Sequence, residues 1–141
     1  MNLYGAMYCT RAVLPAMIDA KWGRIVTIVS DAGRTGDANG AAYAASKAGA
    51  AGLTRSIAAE NGRHGVTANN IALGTMNPDD RAAVGRACGL AASQGDSAEL
   101  CDPWPGNPDD AAALAALLAS DHGSWVTGQT IPVNGGFSFA Q

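Results

Sequence analysis

At 141 residues, 48% of them apolar and 15% charged, the chain has the size and balance of about one globular domain with an ordinary core, and disorder is excluded. A net charge of -3 and an isoelectric point near 5.1 leave no electrostatic footprint for nucleic acid or an anionic membrane. Cys9, Cys88 and Cys101 are unevenly spaced and form no CxxC, so neither a disulfide framework nor a zinc site is indicated.

These cysteines read as small apolar side chains in a reducing compartment. The longest apolar run, Ala111 to Ala119, is far short of the ~20 residues that cross a bilayer. The opening MNLYGAMYCTR lacks the basic start and apolar centre of a signal peptide, so a cytoplasmic protein is expected.

In chain order, Leu3, Met7, Leu14, Met17 and Ile18 fall at helical spacing between Asn2 and Ala20, with Tyr4, Tyr8 and Ala12 on an adjoining stripe. The pattern predicts a helix covered on more than one face, by the core or by a partner subunit, and Pro15 predicts a kink near residues 11 to 15. Arg24 to Val29 (RIVTIV) is a β-branched run with little alternation, the pattern of a strand covered on both faces. A second helix is predicted from about Ala42 to Glu60, stopped by Asn61-Gly62. Its small residues Ala44, Ala45, Ala48, Gly49, Ala51 and Gly52 leave room for another helix.

Val66 to Leu73 (VTANNIAL) is the next strand, and Gly74-Thr75-Met76 turns off its C-terminal end. Asn77-Pro78-Asp79-Asp80 reads as a cap opening a helix to about Ala92. Ser93 to Gly106 reads as a loop, in which Trp104 lines a substrate pocket or anchors at the surface. A second cap, Asn107-Pro108-Asp109-Asp110, opens a helix to about Ser120 with Ala111, Leu114, Ala115 and Leu118 on one face, ended by Gly123. Thr130 to Val133 is a short last strand whose Pro132 belongs at a sheet edge. Strands alternating with helices point to a parallel α/β sheet.

The chemistry concentrates between Ser30 and Lys47. Ser30 closes a strand, where open α/β sheets bind ligands. Tyr43 and Lys47 leave the same helix face one turn apart, about 6 Å along the axis. A free phenol ionises near pH ~10 and is a poor acid or base at neutrality unless a nearby cation favours the phenolate. Lys47 can supply that cation, and Ser30 can hydrogen-bond a substrate oxygen against the phenol. Gly33, Gly36 and Gly40 lack the GxGxxG spacing and read as a surface loop. A Ser-His-Asp reading of Ser30, His64 and Asp31 has no GxSxG elbow behind it, and His64 reads as solvated. The paired acids at 79-80 and 109-110 read as first-turn acids, so no metal is expected.

Ser30 followed by Tyr43-Ala44-Ala45-Ser46-Lys47 resembles the YxxxK signature of the short-chain dehydrogenase/reductase family. The order of NLYGAM, GRIVTIVS, the Tyr and Lys, VTANNIALG and VTGQTIPVNGG extends the resemblance over almost the whole chain. The resemblance implies the C-terminal part of a doubly wound, Rossmann-type α/β domain: three parallel strands with flanking helices. It also implies an NAD(P)-dependent oxidoreductase interconverting a small-molecule alcohol and a carbonyl. On it, Ser30 orients the substrate, Tyr43 is the general acid/base, and Lys47 binds the nicotinamide ribose and tunes the phenol. Asn2 anchors a water of the proton relay, and Leu73, Gly74 and Thr75 face the nicotinamide. Leu73 stands where the family usually has proline, and Asn77 where it often has a cofactor-binding threonine.

No TGxxxGxG turn or adenosine-ribose selector is found in the sequence, so residues 1–141 are expected to be a single partial domain lacking the N-terminal cofactor-binding half. NAD and NADP then remain equal alternatives. The first strand is expected to leave an apolar edge exposed. The helices at 2–20 and 42–60 resemble the pair through which the family forms homo-oligomers. The alternative function is a truncated remnant without activity, an interaction module acting through those helices.

Overall fold

The computed structural model describes residues 2–76 and 106–139. Its elements are α1 (Asn2–Ala20), β1 (Gly23–Ser30), a single helical turn α2 (Ala32–Thr35), α3 (Ala41–Asn61), β2 (Val66–Leu73), α4 (Pro108–Ala119) and β3 (Thr130–Val133). The three strands form one parallel sheet in the order β1-β2-β3. Gly23 pairs with Val66 through to Ser30 with Leu73, and Asn70 pairs with Thr130 through to Leu73 with Val133. The C-terminal ends of all three strands therefore lie together.

The period-2 alternation of the strands assigns each face its own cover. On one face Val29 and Ala72 meet Ala50 and Ala51 of α3, with Leu3 of α1 against them. Further along, Ala68 meets Ile57 and Ala58, with Leu14, Ile25 and Leu53 alongside. Alanines on both sides let α3 lie close to the sheet, and Thr27 and Thr54 share a 2.9 Å hydroxyl hydrogen bond across that seam. On the opposite face Ile71 packs on Ala111 and Leu118 of α4, with Val26, Ile131 and Val133 around them. The capping box predicted at Asn107 is present: Asn107 Oδ1 accepts from the Asp109 amide at 3.0 Å, and Asp110 Oδ2 accepts from the Asn107 amide at 2.7 Å.

β2 is the central strand, with every residue from Val66 to Ala72 buried. Its two asparagines organise the approach to β3. Asn69 donates to the Val126 carbonyl and accepts from the Gln129 amide, and Asn70 donates to Thr130 Oγ1 at 3.1 Å. Asn70 Oδ1 is buried without a hydrogen-bond partner among the described residues.

Several expectations are corrected. β1 has cover on both faces, through Ile25 and Val29 on one and Val26 on the other, but the cover is incomplete: only Gly23 and Val29 are buried, and Ile28 is 45% exposed. As an edge strand with β2 its single neighbour among the described residues, it leaves one side open. α1 includes Pro15 in one helical segment, and within the chain α3 and β1 cover the stripe carrying Leu3 and Leu14 while no α1 residue among those described is fully buried. α3 does stop at Asn61, with Gly62 as its C-cap, as expected; a separate 3-10 turn, Gly62–His64, follows, and the chain reverses at Gly65. Gly65 has φ +74°, and a Cβ there would stand 2.2 Å from the Lys21 carbonyl oxygen. Gly123 does not cap α4: the helix closes at Ser120, and Gly123 sits buried in a following 3-10 turn against Leu117 and Leu118. Pro132 occupies an edge strand, as expected. The predicted helix from Asn77 and most of the loop to Gly106, with Cys88, Cys101 and Trp104, lie outside the described residues. The two ends of that stretch meet, because Gly106 donates its amide to the Thr75 carbonyl at 3.0 Å.

Candidate active site

Ser30 is the last residue of β1, and the ladder extends one residue beyond it, the Asp31 amide donating to the Leu73 carbonyl at 3.0 Å. The turn that follows folds back on itself, and the Ala32 amide donates to Ser30 Oγ at 3.3 Å. α2 lies tightly on α3, since a Cβ on Gly33 would meet the Ala48 nitrogen at 2.8 Å. The supposed surface loop thus begins as a packed helical turn, which delivers the chain to Gly40 and starts α3 with Tyr43 in its first turn.

Ser30 and Tyr43 line one cleft of about 280 Å³ at the C-terminal ends of the strands, together with Leu73, Gly74, Thr75 and Phe137. Tyr43 is 43% exposed there. Lys47, one turn further along α3, places its Nζ 5.7 Å from the Tyr43 ring centre and donates to the Ile28 carbonyl at 3.0 Å. Asn2 lies at the near end of α1: its Nδ2 donates to Ser46 Oγ at 3.4 Å, and Ser46 in turn donates to the Tyr43 carbonyl at 2.7 Å. The structure therefore brings Ser30, Tyr43, Leu73, Gly74 and Thr75 around one space, with Lys47 against the phenol ring and Asn2 linked to α3 through Ser46.

Larger hollows exist, one of about 450 Å³ beside Met7, Leu14 and Leu53 and one of about 420 Å³ beside Trp22 and Trp125. The first lies along α1 and the second at the N-terminal ends of the strands, so position and not size marks the cleft at Ser30. His64 is excluded from it. Strand pairing places residue 64 beyond Val66, and seven residue steps, about 23 Å, separate that end of the sheet from Ser30. No group of three His, Cys, Asp or Glu side chains among the described residues could hold a metal ion.

Sequence reasoning missed the cluster beside the serine. Asp31 is 2% exposed and pairs with Arg34 at 2.7 Å, and Asn134, after β3, also donates to its carboxylate. The signals were an acid directly after the strand-end serine and an arginine three residues on, a spacing that reads equally as a solvated turn.

A three-stranded parallel sheet flanked by helices defines an α/β fold of the Rossmann-like class. The family model described as enoyl-(acyl carrier protein) reductase matches residues 1–138. The chain belongs to the short-chain dehydrogenase/reductase family. It is 35% identical to a 7alpha-hydroxysteroid dehydrogenase of Bacteroides fragilis, with 98% of this chain and 52% of that protein covered. It is 38% identical to a 3-oxoacyl-[acyl-carrier-protein] reductase of Salmonella typhimurium, covering 96% and 54%. A short-chain type dehydrogenase/reductase from Mycobacterium ulcerans superposes with a TM-score of 0.86 at 31% identity, covering 96% of this chain and 49% of that one. An acetoin dehydrogenase of Salmonella typhimurium gives 0.80 at 30% identity, covering 99% and 53%. The chain thus spans about half the length of the relatives it matches.

The part of the cleft that a nicotinamide would face is lined by Tyr43, Leu73, Gly74 and Thr75, and Gly74 packs so closely on Asn134 that a Cβ there would come within 2.9 Å of it. For the pyrophosphate end there is no fit: Gly33, Gly36 and Gly40 serve α2 packing, a turn and the start of α3, and form no phosphate cradle.

Proposed function

We propose that this chain carries the proton-transfer and nicotinamide-facing part of an NAD(P)-dependent oxidoreductase that interconverts an alcohol and a carbonyl. The reading is supported by one observation above others: Ser30 and Tyr43 open onto the same cleft while Lys47 stands against the Tyr43 ring. In the reducing direction Ser30 Oγ hydrogen-bonds the carbonyl oxygen and the Tyr43 hydroxyl protonates it. Lys47, with Nζ 5.7 Å from the ring centre, is the cation beside the phenol as it gives up its proton. Asn2, through Ser46, steadies the first turn of α3 and anchors the relay that returns a proton to Tyr43. A bound nicotinamide supplies the hydride. Tyr43, Lys47 and the Leu73-Gly74-Thr75 turn are the residues that would hold its ribose and amide. The selector between NAD and NADP is not among the 141 residues, so both are proposed cofactors.

Titration of the purified chain with NADH and with NADPH tests this reading. Saturable quenching of tryptophan fluorescence or enhancement of nicotinamide fluorescence is expected, and no response at millimolar cofactor would overturn it. A second reading has its own observation. The α1 face carries exposed Tyr4, Met7 and Tyr8 and an apolar hollow against Leu53. It fits a cytoplasmic homo-oligomer joined through α1 and α3, of which an inactive remnant would be the limiting case. Sedimentation of the chain with and without Leu14→Lys distinguishes them.

A further inference from the structure

The Asp31 cluster has no part in the proton transfer, yet it is the most heavily bonded polar group beside the cleft. A buried carboxylate is costly unless paired and hydrogen-bonded. Asp31 obtains its partners from Arg34 and from Asn134, a residue 103 positions away at the far end of the chain. Arg34 extends the contact, donating to Ser138 Oγ at 2.9 Å and to the Phe139 carbonyl at 2.8 Å. Asn134 donates to the Ser138 carbonyl at 2.9 Å, and the Phe137 amide donates to the Asn134 carbonyl at 3.1 Å. Gly135 and Gly136, at φ +61° and +82°, supply the left-handed backbone that lets this turn close.

Residues 134–139 are folded back and fastened one residue from Ser30. The fastening carries Phe137 onto the cleft lined by Ser30, Tyr43 and Thr75, where it is 37% exposed. Asp37 lines the same cleft, so its rim is acidic and its wall aromatic.

We propose that Phe137 is a substrate-contacting wall of the cleft and that Asp31 and Arg34 are positioning residues that hold it there. The favoured substrate is then an uncharged carbonyl compound with an aromatic or alicyclic substituent. Stacking on Phe137 suits such a group, and the acid-lined rim opposes an anionic one. The proposal rests on the carbonyl chemistry assigned above to Ser30 and Tyr43.

The test uses the whole chain labelled with 4-fluorophenylalanine, whose two phenylalanines give two fluorine signals assigned with Phe139→Leu. A second sample carries 3-fluorotyrosine. Both are titrated with 1-phenylethanone. Saturable shifts of the Phe137 and Tyr43 signals are expected. In Arg34→Ala the Phe137 signal should move to the position of the free amino acid and ketone affinity should fall about fivefold to tenfold, with Arg34→Lys recovering part of it. Should Arg34→Ala not fold, Phe137→Ala, which breaks no bond of the cluster, should show the same loss of affinity. A ketone that moves Tyr43 but not Phe137, or that binds Phe137→Ala as tightly as the unchanged chain, overturns this proposal and leaves the carbonyl site standing. A ketone that moves neither overturns both.

Discussion

The ammonium of Lys47 stands 5.7 Å from the centre of the Tyr43 ring, held by a hydrogen bond of 3.0 Å from Nζ to the Ile28 carbonyl. One side chain thereby ties the helix bearing the phenol to the strand that ends in Ser30. If that ammonium also binds the nicotinamide ribose, Lys47→Met removes a charge-assisted contact worth about 1.5–3 kcal/mol. Cofactor affinity is expected to drop about 10-fold to 100-fold by fluorescence titration, while the thermal midpoint stays nearly unchanged because the lysine is only partly buried.

Gly65 is a position where only glycine is accommodated. Its left-handed backbone and the 2.2 Å approach of the Lys21 carbonyl both oppose a side chain. Gly65→Ala is expected to cost at least about 2 kcal/mol, from backbone strain together with displacement of the α1-β1 turn. Thermal or urea unfolding checks this, and Gly62→Ala, where a Cβ meets nothing within 4 Å, provides the contrast with a loss below about 1 kcal/mol.

Leu118 and Leu117 are neighbours on α4 with opposite surroundings. Leu118 is 1% exposed against Ile71, whereas Leu117 is 46% exposed. Leu118→Ala is expected to destabilise the chain by about 2–5 kcal/mol and Leu117→Ala by less than about 1 kcal/mol, measured as shifts of the urea midpoint. Equal losses would mean that α4 does not lie on the sheet as described.

Much of this architecture was legible in the residues because the relevant signals were local. Val66 to Leu73 reads as a strand from its own composition, and Asn107 with Asp110 announces a helix start within four residues. Ser30, Tyr43 and Lys47 were legible because strand end and helix turn fix their spacing. What could not be read depends on contacts distant in sequence. The open edge of β1, which has one neighbouring strand among the described residues, was expected from the family resemblance and not from any local pattern. The need for glycine at position 65 is dictated by the Lys21 carbonyl forty-four positions earlier. The Asp31 carboxylate is buried because Asn134 and Arg34 close over it, and neither the acid nor the arginine carries a mark of that in its own neighbourhood.

The central claim is that Tyr43 transfers the proton to a carbonyl oxygen in the cleft. The most direct measurement is the NAD(P)H-dependent reduction of a neutral aromatic ketone by the chain and by Tyr43→Phe, with circular dichroism confirming that both are folded. The account predicts measurable reduction by the unchanged chain and a loss of at least about 100-fold in the variant. Reduction at the same rate by Tyr43→Phe, or none by either protein at millimolar cofactor and ketone, would contradict it.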